Sequence, residues 1–268
     1  MKIGNLIGRG RTADVFELNE NKILKLYHEN FPKRAVQGEY DTSIYVQDHL
    51  DFVPRVFELI EYQGKHGIIF EKIEGITLVE YLLKNPIKIF KVVKQMAKLH
   101  VELHSIEYLE KDNQKEFFRY DIKRVKELDE TTKDKILLIL DKLPADNKIC
   151  HRDFHPDNIM HSKKGMIVID WMTATSGSPA GDVARTFYIL KHGTPLASLS
   201  FKEKIKIKIF QSIATRRYLR QYLKFSNLTR KEIKKWEIVI ITGRLNENIP
   251  HEQSYILKRI KKIMKIIS

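Results

Sequence analysis

At 268 residues, 43% hydrophobic and 31% charged, the chain has the composition of a globular protein with a full core, as one large domain or two lobes sharing a cleft. A single cysteine, Cys150, excludes an internal disulfide and a cysteine-based zinc site, and no apolar run approaches the ~18 residues that span a bilayer. The formal charge of +14 is one-sided: residues 1–182 hold 28 Lys and Arg against 29 Asp and Glu, whereas residues 183–268 hold 20 against 5. Those cations read either as solvated helix faces or as a basic wall that favours anionic partners. They are not interleaved with aromatics as in a nucleic-acid module, so nucleic acid is not an expected partner. The opening Met1-Lys2-Ile3-Gly4-Asn5 lacks an apolar signal core, and with the lone cysteine it predicts a cytoplasmic protein.

Residues 1–74 predict a β-rich lobe. Segments 2–7, 15–18 and 22–27 are short and rich in Ile, Leu and Val, with a turn at Asn19-Glu20-Asn21. A helix is expected over 34–50, although Gly38 weakens the pattern. Strands 55–62 and 67–72 follow, joined by a turn at Gln63-Gly64. Gly75 marks a break, with a cleft expected near residue 73, and residues 75–268 predict a mainly helical lobe. Within it, 87–104 carries a stripe through 89, 92, 93, 96, 99, 100 and 103, a period near 3.6 residues. Shorter helices are expected at 117–128 and 134–143. A small β region over 148–170 has strands at 159–161 and 166–169. Basic amphipathic helices at 182–192, 201–224, 229–241 and 252–267 complete the chain.

The segment richest in chemistry is His151-Arg152-Asp153-Phe154-His155-Pro156-Asp157-Asn158, with Ile169-Asp170-Trp171 at a strand end twelve residues later. Asp153 and Asn158 are spaced as on a short loop that turns back on itself. Its carboxylate can face an acceptor hydroxyl while the amide oxygen faces a cation. Asp170 supplies a second oxygen ligand of the kind a hard ion such as Mg²⁺ takes. A loop Asp, a loop Asn and a strand-end Asp are what phosphoryl transfer from Mg·ATP requires in kinases.

These motifs resemble the protein-kinase-like fold, and within it the aminoglycoside phosphotransferase and choline kinase superfamily of small-molecule kinases. His151-Arg152-Asp153 has the protein-kinase form, but the metal motif is Ile-Asp-Trp rather than Asp-Phe-Gly. It is followed by Gly177-x-Pro179-x-x-Asp182-Val183-Ala184-Arg185, and no Ala-Pro-Glu appears. The resemblance covers residues 4–185. It implies an α+β, bilobal kinase-like fold: a nucleotide-binding lobe at 1–74, then a helical lobe with catalytic loop 151–158, metal motif 169–171 and a basic substrate subdomain at 183–268. It further implies Asp153 as the catalytic base and Asn158 and Asp170 as Mg²⁺ ligands. Gly8 and Gly10 would form a phosphate loop, with Ala13 where the third glycine would stand. Lys25 would sit on the phosphates with Glu39 as its partner, in preference to Glu29. Main-chain groups near Glu71 and Ile73 would meet the adenine. ATP and Mg²⁺ are the expected cofactors and a small-molecule hydroxyl the expected acceptor. With so few acids beyond residue 182, a neutral or anionic metabolite is expected at least as readily as an aminoglycoside. The rival readings are a protein Ser/Thr kinase and a catalytically silent nucleotide-binding module with a basic surface. His151 and Arg152 read as scaffolding and Asp182 as a buttress of the loop. His155 and Asp157 read as substrate contacts or loop braces, and His100 and His104 as packing or surface histidines.

Overall fold

A computed structural model of the chain describes residues 3–109, 113–193 and 200–267; Lys2, where the first expected strand begins, lies outside them. The chain divides into two compact units, Met1–Pro86 with Pro156–Ala174, and Ile87–His155 with Thr175–Ser268.

The first unit is built on β1 (Leu6–Arg9), β2 (Ala13–Asn19), β3 (Lys22–Tyr27), β4 (Val56–Tyr62) and β5 (Lys65–Glu71), an antiparallel sheet in the order β1-β2-β3-β5-β4. The sequence turns are where the sheet needs them. Asn19 Oδ1 accepts from the Asn21 N–H at 2.9 Å, closing the β2–β3 turn. Gln63 and Gly64 have φ of 49° and 75°, the paired positive values of a two-residue hairpin whose twist matches its strands. Period-two alternation sends Leu24 and Leu26 to one face with Ile69, and Tyr27, Ile68, Phe70 and Val56 to the other with Val36 of α1 (Lys33–Gln47). That helix buries a stripe of Val36, Glu39, Ser43 and Val46, and Gly38 sits outside it with nothing within 4 Å of its missing Cβ.

The first unit runs past the expected boundary at 74. β6 (Gly75–Thr77) pairs antiparallel with β8 (Ile159–Ser162), which pairs with β9 (Gly165–Val168). Tyr81 of α2 (Leu78–Lys84) stacks on His161 at 3.8 Å. These bonds hold residues 75–86 and the hairpin that leads into Ile169-Asp170-Trp171 to the first unit, and the Val168 N–H donates to the Phe52 carbonyl at 2.8 Å.

The second unit is helical: α3 (Ile89–Leu103), α4 (Gln114–Arg124), α5 (Glu130–Lys142), α6 (Pro179–His192), α7 (Phe201–Phe225), α8 (Arg230–Lys235), α9 (Glu237–Leu245) and α10 (Pro250–Ile267). β7 (Lys148–Cys150) and β10 (Thr175–Gly177) add one antiparallel pair. Several boundaries differ from the sequence expectation, among them the helix expected from 134, which starts at Glu130 behind an Asp129 cap, and two others with equally visible causes. The helix expected from 117 starts three residues earlier, because the Asn113 side chain caps it by accepting from the Lys115 and Glu116 N–H groups. The helix expected over 229–241 is two: Thr229 and Glu232 form a capping box at the start of α8, and the chain breaks at the fully buried Trp236. Every residue from Ile238 to Leu245 is buried, as in a helix apolar nearly all round.

The Gly177-x-Pro179-x-x-Asp182 pattern is a helix start pressed against a side chain. Pro179 opens α6, where its missing N–H costs nothing, and Gln114 Oε1 accepts from the Ser178 N–H at 3.1 Å. A Cβ on Gly177 would lie 2.4 Å from Gln114 Cβ, and one on Gly181 2.7 Å from Gln114 Oε1 and 2.9 Å from Trp236 Cε3. Gly181→Ala is therefore expected to lower the unfolding free energy by about 1–3 kcal/mol through overpacking. Urea denaturation measures this, and Gly38→Ala, in open space on α1, should be neutral or stabilising.

Candidate active site

Strand alternation puts Lys25 on the face of β3 that α1 covers, and the helical period puts Glu39 in the buried stripe of α1. They meet: Lys25 Nζ donates to Glu39 Oε1 at 2.7 Å and Oε2 at 3.0 Å. Tyr27, two residues along the same face, donates its hydroxyl to Glu39 Oε2. Lys25 Nζ also donates to Asp170 Oδ1 at 2.8 Å, so one ammonium is held between two carboxylates. Burial alone would lower the Lys25 pKa, but the charges of Glu39 and Asp170 outweigh it and hold it above the ordinary lysine value. Lys25 is a fixed cation.

Asn158 and Asp170 stand at the same end of the β8–β9 hairpin. Its register pairs Ile159 with Val168, and the Asn158 carbonyl accepts from the Ile169 N–H at 3.0 Å. Asp170 adopts φ 65°, a left-handed conformation that Asp tolerates better than most residues. Its carboxylate is 40% exposed, and carboxylate and amide oxygens are the donor types a hard divalent cation takes. Gly8 lies in β1 opposite Val15, and Gly10 turns the chain so tightly that a Cβ there would come 2.9 Å from the Ala13 carbonyl. Thr12, in that turn, donates its hydroxyl to Met172 Sδ at 3.8 Å, two residues beyond Asp170. The turn, Lys25 and Asp170 thus share one end of the first unit.

At Glu71 the main-chain N–H is already committed, donating to the Arg55 carbonyl at 2.8 Å, while its carboxylate accepts from Lys164 and from the Arg55 N–H. The Lys72 N–H donates to the Asn21 carbonyl at 2.9 Å. Of the two positions named for an adenine edge, only Ile73 lies beyond these strand-end bonds.

Asp153 belongs to the second unit, on a loop organised by Asp182 from the first turn of α6. Asp182 Oδ2 accepts from the His151 N–H at 2.8 Å and Oδ1 from the Arg152 N–H at 2.8 Å. Oδ2 also faces His100 Nε2 at 3.1 Å and His104 Nε2 at 3.2 Å, while Tyr218 and Tyr222 lie 2.6 and 2.7 Å from the opposite ring nitrogens. That pattern assigns Nε2–H to both rings, with each Nδ1 accepting from a tyrosine. His100 and His104 are thus buried packing residues, as one of the two expectations had it, and members of a hydrogen-bonded network rather than surface histidines. Arg152, at φ 60°, lays its guanidinium 4.3 Å from the Phe117 ring centroid.

Two residues stand beside Asp153: His155, one of the two expected loop braces or substrate contacts, and Arg185, whose pairing the sequence did not name. Arg185 donates from Nε to the Arg152 carbonyl, from Nη1 to Glu247 at 2.8 Å, and comes within 3.6 Å of Asp153 Oδ1. His155 Nε2 is 3.3 Å from Asp153 Oδ2. Burial opposes ionisation of Asp153, but His155 first, then Arg185 and His151, hold its pKa well below the carboxylate range. The Ala184-Arg185 dipeptide of the motif was the available signal, but nothing in it named Glu247.

The family model described as the phosphotransferase enzyme family matches residues 4–200. The chain belongs to the phosphotransferase enzyme family. No curated protein matches it. Solved structures of similar fold include APH(2'')-IIa in a ternary complex with streptomycin and ATP, at 18% identity and TM-score 0.61, covering 98% of this chain and 91% of that one. An aminoglycoside-3'-phosphotransferase of type VIII is similar at 15% identity and TM-score 0.62, covering 90% and 93%. A choline/ethanolamine kinase family protein from Mesorhizobium loti gives 13% identity and TM-score 0.58, covering 98% and 88%. This phosphotransferase therefore has the α+β, protein-kinase-like fold of the aminoglycoside phosphotransferases and choline kinases. No helix among its described residues is long and apolar enough to cross a membrane.

Burial, and after it the neighbouring His104, push the His100 pKa down to about 3 from its ordinary 6.5, against the pull of Asp182. The ring stays neutral in the fold but takes a proton once the chain unfolds, so stability falls as pH drops through that window. His100 contributes a loss of about 2 kcal/mol between pH 7 and pH 5, read from urea unfolding, and His192, whose pKa burial pushes down to about 4, adds to the loss over the same range. Asp182, whose pKa is depressed, adds its own loss only below the ordinary carboxylate value of 3.8. His100→Asn should reduce the pH 7-to-5 loss by about 2 kcal/mol, whatever it does to stability at neutral pH.

Proposed function

We infer that this phosphotransferase is a kinase that moves the γ-phosphate of ATP to a hydroxyl of a small molecule. The observation that carries the reading is Lys25 held at 2.7 and 2.8 Å between Glu39 and Asp170, at the end of the unit where Gly10 turns the chain. Lys25, fixed by Glu39, would bind the phosphates, with Gly8 and Gly10 leaving room for main-chain approach. Asn158 and Asp170 would hold Mg²⁺, which when bound neutralises charge on the transferring phosphoryl group. Ile73 would offer its main chain to adenine. Asp153 would orient the acceptor hydroxyl and take its proton as the new oxygen–phosphorus bond forms and ADP leaves. Because Arg185 and His155 keep Asp153 ionised and weakly basic, its contribution is more to orientation than to proton removal.

The acceptor reading rests on the acids of the basic third. Of its five glutamates, Glu232 is spent in the α8 capping box, Glu237 is paired with Arg259, and Glu247 lies between Arg185 and Arg244. Glu252 accepts from Arg244 at 3.0 and 3.1 Å. The side chain of Glu203 lies outside the described residues. A polycationic aminoglycoside would find three of these carboxylates already paired with arginines and the fourth engaged in a helix cap, which favours a neutral or anionic metabolite.

ADP release from Mg·ATP, run against aminoglycosides, choline-like alcohols, sugars and a generic protein substrate, tests the reading. Stimulation by one small-molecule class is the expected result; stimulation by the protein alone would favour a protein kinase, and failure to bind nucleotide would overturn the assignment. Asp153→Asn is expected to lower turnover by about 10²–10⁴-fold with little change in ATP binding. Asp170→Ala should abolish the Mg²⁺-dependent part of nucleotide binding in calorimetry, and unchanged Mg·ATP affinity would remove its role.

A further inference from the structure

The helices of the second unit enclose a cavity of about 210 Å³ among α6, α7, α8, α9 and α10 that contains neither Asp153, His155 nor Arg185. Its floor is apolar, made by Ala184, Leu219, Ile233, Ile240 and Ile241. One wall is a slab of three adjoining rings: Tyr188 stacks on His192 with centroids 4.6 Å apart, and Tyr255 lies tilted against His192 at 4.4 Å. Burial, then the adjacent Lys191, push the His192 pKa down to about 4, so the middle ring of the slab is neutral near pH 7. About 150 Å³ of apolar cavity accommodates a benzene ring, so this volume holds one ring with a substituent.

The rim has the opposite character. Four cations line it, Lys191, Arg230, Lys234 and Arg259, against the single carboxylate of Glu237. Arg259 consumes that carboxylate in a two-pronged pair at 2.6 and 2.9 Å. Among the described residues, no carboxylate lies within ion-pair distance of Lys191, Arg230 or Lys234, and all three are exposed. The excess charge of the C-terminal third is therefore partly concentrated around one apolar pocket, where low-dielectric walls strengthen its field.

We propose that this cavity is a binding site for a small amphiphilic anion, an aromatic or similarly flat apolar body carrying a phosphate or carboxylate, distinct from the phosphotransfer residues. The body lies against the Tyr188–His192–Tyr255 slab on the isoleucine floor, and the anionic group faces Lys191, Arg230 and Lys234. Neither half suffices alone. A neutral ring leaves the cations unmatched, and a bare anion leaves the apolar floor open to water. The cavity backs onto the catalytic surroundings through Tyr188, whose ring lies 6.0 Å from Arg244, the residue that pairs with Glu247 beside Arg185.

Phenyl phosphate is the probe, titrated calorimetrically into the full chain with and without saturating Mg·ADP. Expected is binding that Mg·ADP leaves intact and that weakens at least tenfold in Lys191→Gln/Lys234→Gln, with inorganic phosphate and benzyl alcohol each at least tenfold weaker than the probe. Both lysines are exposed, so an unchanged thermal midpoint serves as the fold control; Tyr255→Ala, which removes one ring of the slab, should weaken binding independently. Absence of binding, equal binding by the variants, competition by Mg·ADP, or inorganic phosphate binding as well as phenyl phosphate would each overturn the site. A chain that ignores Mg·ADP but binds phenyl phosphate as described would refute the kinase reading and leave this one standing.

Discussion

Asp182 accepts hydrogen bonds from two main-chain N–H groups and faces two imidazole nitrogens, all within 3.2 Å and all buried. A buried carboxylate is tolerable only when its oxygens are fully matched, and here the match dictates the loop. With the N–H groups of His151 and Arg152 drawn to the two oxygens of one carboxylate, the chain turns sharply, and Arg152 takes φ 60°. A non-glycine residue in that region costs about 1–3 kcal/mol, which only a firmly determined environment sustains. Asp182 provides it on the main-chain side, and the Phe117 face on the side-chain side. Asp153 inherits its position as the next residue along. The two histidines are fixed from behind by Tyr218 and Tyr222, so α3, α6 and α7 converge on one charge.

The surroundings of Asp153 obey a second constraint, alternation of sign. Asp153, Arg185, Glu247, Arg244 and Glu252 follow one another as anion, cation, anion, cation, anion, with separations between 2.6 and 3.6 Å. In such a row no charge is buried without a partner, and each arginine is shared, so the row holds the end of α9 to the loop without a net charge of either strong sign. The sequence count of twenty cations against five acids is therefore a poor guide to the field at Asp153, although it remains a fair guide to the rim around Lys191 and Lys234.

What was legible in the sequence follows the range of each interaction. Strands β3, β4 and β5 and the stripe of α1 are written in period two and period 3.6, which placed Lys25 on a strand and Glu39 on a helix; that the two are partners came from the resemblance, and the structure pairs them. Asp182 was likewise named as a buttress through the resemblance that its Gly-x-Pro-x-x-Asp motif carries. The His-x-x-x-His spacing at 100 and 104 was visible, but its meaning was not, because the partners Tyr218, Tyr222 and Asp182 lie 78 to 118 residues away. Likewise the break at Trp236 left no local trace; it is set by a ring buried against Phe118 and the Gly181 backbone. At Glu71 the strand end was legible, whereas the commitment of its N–H to the Arg55 carbonyl, a residue distant in sequence, was not.

Lys25 and Asp182 solve the same problem with opposite signs. Each is a charge that folding removes from water, and each is kept ionised by partners from other segments of the chain: Glu39 and Asp170 in one case, two N–H groups and two imidazoles in the other. The difference lies in what is left over. Asp182 has every oxygen engaged by groups that cannot leave without unfolding, so it is scaffold. Lys25 gives two of its hydrogen bonds to the buried Glu39 and one to Asp170, a carboxylate 40% exposed in a left-handed conformation just past a strand end. An ammonium with one buried partner and one partly exposed partner is the asymmetry on which the proposed phosphate-binding role rests, and it sets Lys25 apart from the fully enclosed Asp182.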